Sequence, residues 1–433
     1  MNFWLVCFGA VLLNGSSVAR AKEAPSEATT VRKSSERSWG ELEGDAGIGF
    51  LGRDAYTTFQ LGFDLQEGGF TLGLQARLRV RVVDRGQERE GLGIRREDWD
   101  EPSDLAYLIR YASYRRDVKG VALGFSLGEL AGYTLGHGSL VRSYGSAVDL
   151  DHPHGGLMAR LAGRRWRVDA VLDDFVAPDF VGLRVGGVPV LRGKHRLEVG
   201  VSGLLDFRAP LAVQLDDQGN RRVDRHRNLL VDRRLFGAVG VDVAYQLGGP
   251  TEDHLRVYLD GNLLIPERGV ADPALGLHVG ARFQAHPFDG KVQLFGGLEY
   301  RRLGPGYLVS WVDLPYDVQR LQLPLGRSSL ASAGDDPPTK LGAVAAGQAP
   351  AGNGWRGDLG LRVAPWVEVA AHYDHRPGPV GNALGARVSV FVGRHFLLAG
   401  LLERFGFVSE GDLGDSDGLL VVAEARYRPL RNL

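Results

Sequence analysis

Alternation with a period of two, sustained from Gly44 almost to the end of the chain, limits more than any other feature what this sequence folds into. Over 70–82, Phe70, Leu72, Leu74, Ala76, Leu78, Val80 and Val82 occupy one register, and Thr71, Gly73, Gln75, Arg77, Arg79 and Arg81 the other. A strand sends two such sets to opposite sides of a sheet. The pattern returns at 253–264, where Leu255, Val257, Leu259 and Leu263 oppose Arg256, Tyr258, Asp260 and Asn262. It returns again at 273–286 and 419–428. Beyond the N-terminal segment no stretch offers 18 uninterrupted apolar residues, which excludes bilayer-spanning helices.

The connections are sorted. Very short ones fall around 67–68, 116–117, 163, 193, 248–250, 287–289, 364–365 and 393. Between them lie longer ones at about 84–103, 129–153, 174–179, 207–233, 265–272, 303–354, 376–381 and 407–417. Outer-membrane barrels have this asymmetry, with short periplasmic turns and longer outer loops. The expected fold is therefore an all-β, transmembrane antiparallel up-and-down β-barrel over 44–430. Counting from 46–51 gives about 18 strands, with both ends of the barrel periplasmic. Sixteen is the alternative if 46–51 or 394–405 is not a strand. Tyr111, Tyr245, Phe283, Tyr300, Tyr373 and Tyr427 fall late in strands on the apolar register, as aromatic girdles would.

Bulk hydropathy does not oppose this reading. Mean hydropathy is -0.12, yet only every second strand residue of a barrel meets lipid. Lys plus Arg number 51 against 52 Asp plus Glu, so the basic excess of a nucleic-acid binder is missing. At the N-terminus an apolar run over 3–13 leads to Ala19-Arg20-Ala21, a small-residue cleavage pattern. We expect a signal peptide at 1–21, cleavage after Ala21, a flexible periplasmic lead-in at 22–43, and residence in the outer membrane of a Gram-negative bacterium. The only cysteine, Cys7, lies within the leader. The exported chain would thus contain no disulfide, thiol nucleophile or thiolate metal site.

These strands and loops resemble outer-membrane β-barrels of the porin type across 44–430, without a diagnostic motif. The resemblance implies lipid and the barrel-assembly machinery as partners and small polar solutes as cargo. Such barrels commonly end in an aromatic residue; here the last aromatic is Tyr427 and the chain ends at Leu433. The stretch at 133–141 also resembles a segment of uncharacterised barrel proteins from Gram-negative lineages.

The Arg77, Arg79, Arg81 ladder is the sharpest polar feature. Alternate residues lie about 6.8 Å apart, within a Debye length at physiological salt, so the three cations repel unless something intervenes. A charge on the lipid face at mid-bilayer costs about 2–4 kcal/mol, which assigns the ladder to the lumen. The same register carries Arg110, Arg167, Arg256, Arg282, Arg362 and Arg426, but also Asp169, Glu198, Asp242, Asp260, Glu299, Glu368 and Glu424. Two readings stay open for these pore-lining residues: an anion-attracting wall, or a structural network of opposite charges.

Other motifs are weaker. His137 and Ser139 do not form G-x-S-x-G and lie between strands, so a loop turn is expected rather than a hydrolase site. His152 and His154 with Asp149 and Asp151 read as a solvated acidic loop, and Asp173-Asp174 and Asp335-Asp336 lack an EF-hand pattern. No metal, cofactor or enzymatic activity is expected. The longest connection, 303–354, has an apolar first half and a small, polar second half. We expect the first half to fold into the barrel mouth as a constriction carrying Tyr307, Trp311, Asp313, Tyr316 and Asp317, with Asp313 or Asp317 meeting the arginine ladder. The second half, 327–354, is expected to be a mobile outer segment. The expected function is a water-filled, porin-like channel for passive diffusion of small polar or anionic solutes. The alternatives are a structural, adhesive or assembly-related barrel without transport, and an outer-membrane hydrolase.

Overall fold

A computed structural model of the chain describes residues 39–51, 54–84, 92–99, 108–146, 154–224, 228–249, 253–288, 290–323, 338–378, 380–393, 396–409 and 418–427, with single residues at 148 and 411. The leader, the cleavage site, most of the lead-in, Asp149, Asp151, His152, Asp289 and Asp335-Asp336 lie outside these residues, as do the side chains of Glu424, Arg426 and Tyr427.

The strands run β1 (Trp39–Leu51), β2 (Asp54–Glu67), β3 (Phe70–Val83), β4 (Gly93–Ile94), β5 (Ile109–Val118), β6 (Val121–Gly128), β7 (Gly156–Ala162), β8 (Trp166–Leu172), β9 (Phe180–Arg192) and β10 (His195–Val213). They continue as β11 (Val231–Gly248), β12 (His254–Pro266), β13 (Ala274–Ala285), β14 (Val292–Leu303), β15 (Gly352–Val363), β16 (Val367–His375), β17 (Asn382–Val392), β18 (Phe396–Phe407) and β19 (Leu419–Tyr427). Two-residue β4 only extends the top of β3, at Val80 and Arg81. The other eighteen strands form one antiparallel meander. β1 pairs with β2 on one side and, through Gly44–Tyr427, with β19 on the other, so the sheet returns to its first strand. Closure leaves no open edge, which a bilayer would not tolerate. The count is eighteen rather than sixteen because both 46–51 and 396–405 are strand. β1 starts at Trp39 rather than Gly44, so the end of the expected lead-in is paired, with Trp39 opposite Gln66.

The outer face is apolar and the inner face charged. On β3, Leu78 is 45% exposed between Arg77 at 7% and Arg79 at 5%. On β12, Leu255, Val257, Leu259 and Leu263 are exposed, while Tyr258, Asp260 and Asn262 are buried. β11, β13 and β14 repeat the inversion at Val241, Leu275 and Leu298. A continuous apolar belt around a closed sheet is the surface that lipid covers. Tyr245, Phe283 and Tyr300 stand exposed on this belt, and Tyr373 packs beside exposed Trp355 with ring centroids 4.7 Å apart. Tyr111 differs from expectation. A register shift where β5 meets Gly73 and Leu74 turns both Arg110 and Tyr111 inward, and the Tyr111 hydroxyl donates to Asp64 at 2.7 Å. An irregularity of this kind lets neighbouring residues share a face.

One end of the barrel has tight turns and the other has the long connections. Two of the long connections fold into the barrel. The first, 129–146, lies between β6 and β7. The second, between β14 and β15, contains helices α1 (Tyr316–Gln319) and α2 (Lys340–Ala345). Contrary to the expectation of a mobile second half, α2 is docked inside. Thr339 caps it, Leu341, Ala343 and Val344 are buried, and Gly342 lies against the Leu211 carbonyl, where a Cβ would approach to 2.5 Å. The small residues of this half therefore permit close packing rather than looseness. Residues 324–337 lie outside the described set.

Candidate functional site

The site is the lumen wall together with the two infolded segments. Their apolar side chains form one cluster with inward residues of the wall, including Leu140, Val141, Tyr144, Phe236, Trp311 and Tyr316. Full burial of each large apolar side chain contributes about 1.5–3 kcal/mol, so the cluster is a substantial term holding the segments in place. Trp311 stacks on Phe236 at 3.6 Å, and its indole N–H donates to Asp206 at 3.2 Å. The Tyr316 hydroxyl donates to the same carboxylate. Tyr307 lies where Gly276 of β13 leaves room: a Cβ there would come within 2.3 Å of the ring. The two segments also bind each other. Val312 N–H donates to Leu140 O at 3.0 Å, and Arg142 N–H to Val312 O at 2.9 Å. Ser310 adopts a left-handed conformation at φ 49°, with its hydroxyl donating to Gly138 O at 2.9 Å. A non-glycine residue held there stores strain that the surrounding contacts must offset.

Charges anchor this inner layer to the wall. Arg142 Nη2 donates to both Glu299 oxygens at 3.0 and 2.8 Å, and its Nε donates to Gly138 O at 2.9 Å. Glu299 also accepts from Tyr258 at 2.6 Å and from Arg301 at 2.5 Å. Arg301 continues to Asp374, which Arg376 bridges to Asp313 at 2.8 Å. Asp313 therefore meets Arg376 and, at 3.9 Å, Lys340, not the arginine ladder. Asp317 accepts from the Tyr144 hydroxyl at 3.2 Å and lies 3.8 Å from His154. The ladder has other partners: Arg77 donates to Gln60 at 3.1 Å, Arg79 to Asp98 at 2.7 Å, and Arg81 to the Tyr56 hydroxyl at 2.9 Å. The physical reason is distance around the ring. The ladder belongs to β3, whereas the second infolded segment packs chiefly on the wall near β10 to β14, and the acid at Asp98 comes from the connection after β3.

Each remaining charged residue assigned to the lumen from the sequence faces inward where its side chain lies among the described residues. Arg110 pairs with Asp64, Arg167 with Asp169 at 2.5 Å, and Arg256 with Glu198. Asp242 accepts from Arg184 at 2.7 Å, Asp260 from the Ser139 hydroxyl at 2.6 Å, and Glu368 from Arg362 at 2.6 Å. Arg282 donates to the His137 carbonyl at 2.9 Å. Sequence reasoning missed Arg184, Arg301 and Asp374, which the inward register of β9, β14 and β16 would have revealed. It also missed Arg142 and Arg376, and it read His137 and Ser139 as a loop turn without foreseeing their burial against the wall, because these aperiodic segments carry no such signal. Ser139 finds Asp260 and Asn262, whereas His137 stacks on Tyr258 at 4.2 Å with Nε2 3.4 Å from Asp242. The serine and histidine are thus held by different partners. Burial pushes the His137 imidazole down to about 4, against the opposing pull of Asp242. Burial likewise lowers the Lys340 ammonium to about 8, with Asp313 acting the other way.

Between the first infolded segment and the tight-turn end lies a polar cavity of about 140 Å³. Its wall includes Arg167, Arg184, Arg196, Glu198, Arg256 and Arg282, and Gly136 and His137 form its roof. No groups of three or more potential metal ligands occur among the described residues.

No family model and no curated protein matches the chain. Solved structures do. Wzi, an outer membrane protein involved in group 1 capsule assembly in Escherichia coli and a carbohydrate-binding β-barrel, is 14% identical with a TM-score of 0.41, covering 99% of this chain and 97% of its own. Pseudomonas aeruginosa OprD is 10% identical with a TM-score of 0.40, covering 90% and 94%. OmpT, an outer membrane protein of Vibrio cholerae, is 13% identical with a TM-score of 0.37, covering 92% and 99%. The outer-membrane β-barrel stands on this chain's own closed antiparallel sheet, exposed apolar belt and charged interior.

Proposed function

We propose that this protein is an outer-membrane channel for small polar or anionic solutes, held narrow by its two infolded segments. The observation that carries the reading is a wide barrel with arginines and carboxylates distributed over most described strands of its inner wall, built around segments attached to that wall by side-chain contacts rather than by strand pairing. Barrels of this strand number enclose space enough for a water-filled path. Charged rings and ladders along such a path select solutes by sign. In this reading the long connections face outward, the tight turns and both barrel ends are periplasmic, and export follows cleavage after Ala21. Lipid and the barrel-assembly machinery are the expected partners. We read the protein as non-enzymatic, since the serine and histidine of 136–139 serve the anchoring network.

A second reading is a structural, adhesive or assembly-related barrel without transport. The continuous apolar cluster inside the wall favours it, because a freely open pore has no need of one. Conductance of the pure protein in planar bilayers separates the two. The channel reading expects small unitary steps for the full chain and clearly larger steps after deletion of 307–323 with a short glycine linker. Absence of conductance in both proteins, each with the unheated gel mobility of a folded barrel, would establish the second reading instead.

A further inference from the structure

We propose that three neighbouring tight turns, β5–β6, β7–β8 and β9–β10, form a docking arc for the headgroups of anionic phospholipid in the leaflet at that end of the barrel. The arc requires only a barrel seated in a bilayer, conducting or not.

The chain as a whole is balanced, with 51 Lys plus Arg against 52 Asp plus Glu, so a basic region is a matter of placement. The three turns carry Arg116 and Lys119, then Arg164 and Arg165, then Arg192 and Lys194, all exposed. Within 116–120, 163–166 and 192–195 the one carboxylate is Asp117, which accepts the Gly120 N–H at 3.0 Å. β5 to β10 are consecutive neighbours in the sheet, so the turns stand side by side. Each turn occupies two strand widths, which spaces them about 10 Å apart. The turns on either side, in contrast, expose Glu67 and Asp253.

The surroundings of these cations assign the occupant. Trp166 is exposed on the lipid-facing register, and its indole folds back over its own turn: a Cβ on Gly163 would come within 2.4 Å of the ring nitrogen. Arg116 shares a register with Tyr114 and exposed Val118, and Tyr114 stands beside exposed Phe125 with ring centroids 5.8 Å apart. Arg192 shares a register with exposed Val190 and stands opposite His195, whose Nδ1 lies 2.5 Å from the Tyr245 hydroxyl on the apolar belt. Phe288 and Trp366 are exposed in other turns of the same end. Amphipathic rings settle at the membrane–water interface, and Lys and Arg stems lie along apolar surface with the charge held in the headgroup layer. An acidic protein docking beyond the barrel would meet the turn tips, not the lipid-facing register that Arg116 and Arg192 occupy.

Lys119 points the same way independently. It takes a left-handed conformation, φ 54°, followed by Gly120 at φ 82°, in the two-residue turn between Val118 and Val121. Asparagine or glycine fits the first position of such a turn without strain, so lysine contributes there through its side chain rather than its backbone.

The test is native mass spectrometry of the detergent-released full chain, titrated with dioleoyl phosphatidylglycerol and, separately, with dioleoyl phosphatidylethanolamine. Phosphatidylglycerol is expected to bind at least tenfold more tightly, with the preference shrinking as salt rises. Each cation near an anionic surface strengthens binding about fivefold, so Arg164→Gln combined with Arg165→Gln should weaken phosphatidylglycerol about 25-fold. Arg233→Gln combined with Arg234→Gln, the same charge change on exposed residues at the opposite rim, should leave it unchanged. Lys119→Asn should weaken it about fivefold while preserving or raising thermal stability, a combination that a purely structural lysine would not give. Arg192→Gln with Lys194→Gln serves if the first pair loses heat-modifiable gel mobility. Equal retention of the two lipids, the result expected of an arc that serves an acidic protein, would overturn the proposal. So would equal losses from the variants at the two ends.

Discussion

Arg142→Met tests whether the infolded segments are held by the wall. The guanidinium is buried, donates twice to Glu299, and ties back the Gly138 and His137 carbonyls of its own turn. Removing one partner of a buried ion pair costs about 3–5 kcal/mol when the other is left alone. Glu299 is not left alone, because Arg301, Tyr258 and His278 remain around it. The lower end, about 3 kcal/mol, is therefore expected, equivalent to roughly 150-fold in the equilibrium between seated and released segment. The barrel ladders are untouched, so unheated gel mobility should persist. Two assays read the release. Mean conductance should rise, and a cysteine at Ser139, buried in the seated state, should react with a small thiol reagent roughly a hundredfold faster in the Arg142→Met background. Combining Arg142→Met with Glu299→Gln should cost less than the sum of the single changes, because the two are in contact. Unchanged thiol reactivity and conductance in folded Arg142→Met protein would refute the anchoring argument.

Three further outcomes are expected. Trp311→Ala removes a fully buried ring stacked on Phe236 and should destabilise the inner layer by about 3–5 kcal/mol, seen as lost near-ultraviolet dichroism with the β-type far-ultraviolet signal retained. Acid should loosen the first infolded segment: the His137 value is about 4 when seated and returns toward 6.5 when released, so the seated state's advantage is complete above 6.5 and is lost as pH falls through 4. That amounts to about 3 kcal/mol; thiol reactivity at position 139 should rise over this window, and His137→Gln should abolish the response if the imidazole causes it. Finally, cysteine at Gly219 in a long connection should react with an impermeant reagent on intact cells, whereas cysteine at Asp289, in a tight-turn connection, should not; the reverse pattern would mean the barrel is inserted upside down.

Period-two alternation was sufficient to place most strands and their inner and outer faces, because hydrogen-bonded strands force successive side chains to opposite sides whatever lies farther away; the strand number stayed open between eighteen and sixteen until the pairing of the first and last strands decided it. It placed Arg77, Arg256, Asp260 and Glu299 on the inner wall for the same reason. It erred at Tyr111, where one irregular residue beside Gly73 reverses the parity beyond it. The length and apolar content of the 303–354 connection likewise announced that Tyr307, Trp311 and Tyr316 would seek burial, since water gives such side chains no favourable place.

What each charge meets was decided only by the closed barrel. Arg142 and Glu299 lie 157 residues apart, and Arg376 and Asp313 lie 63 apart. No local rule relates such residues, because their proximity depends on where a connection falls once it turns inward. The 129–146 segment is the clearest case. It has neither strand nor helix period, and its polar residues read as an exposed turn. Inside the barrel their hydrogen-bonding groups face wall residues rather than water, so His137, Ser139 and Arg142 become buried anchors. The second half of the long connection follows the same physics. Its small residues would suit a mobile segment in solvent, but against β10 they let α2 approach the backbone closely enough to dock.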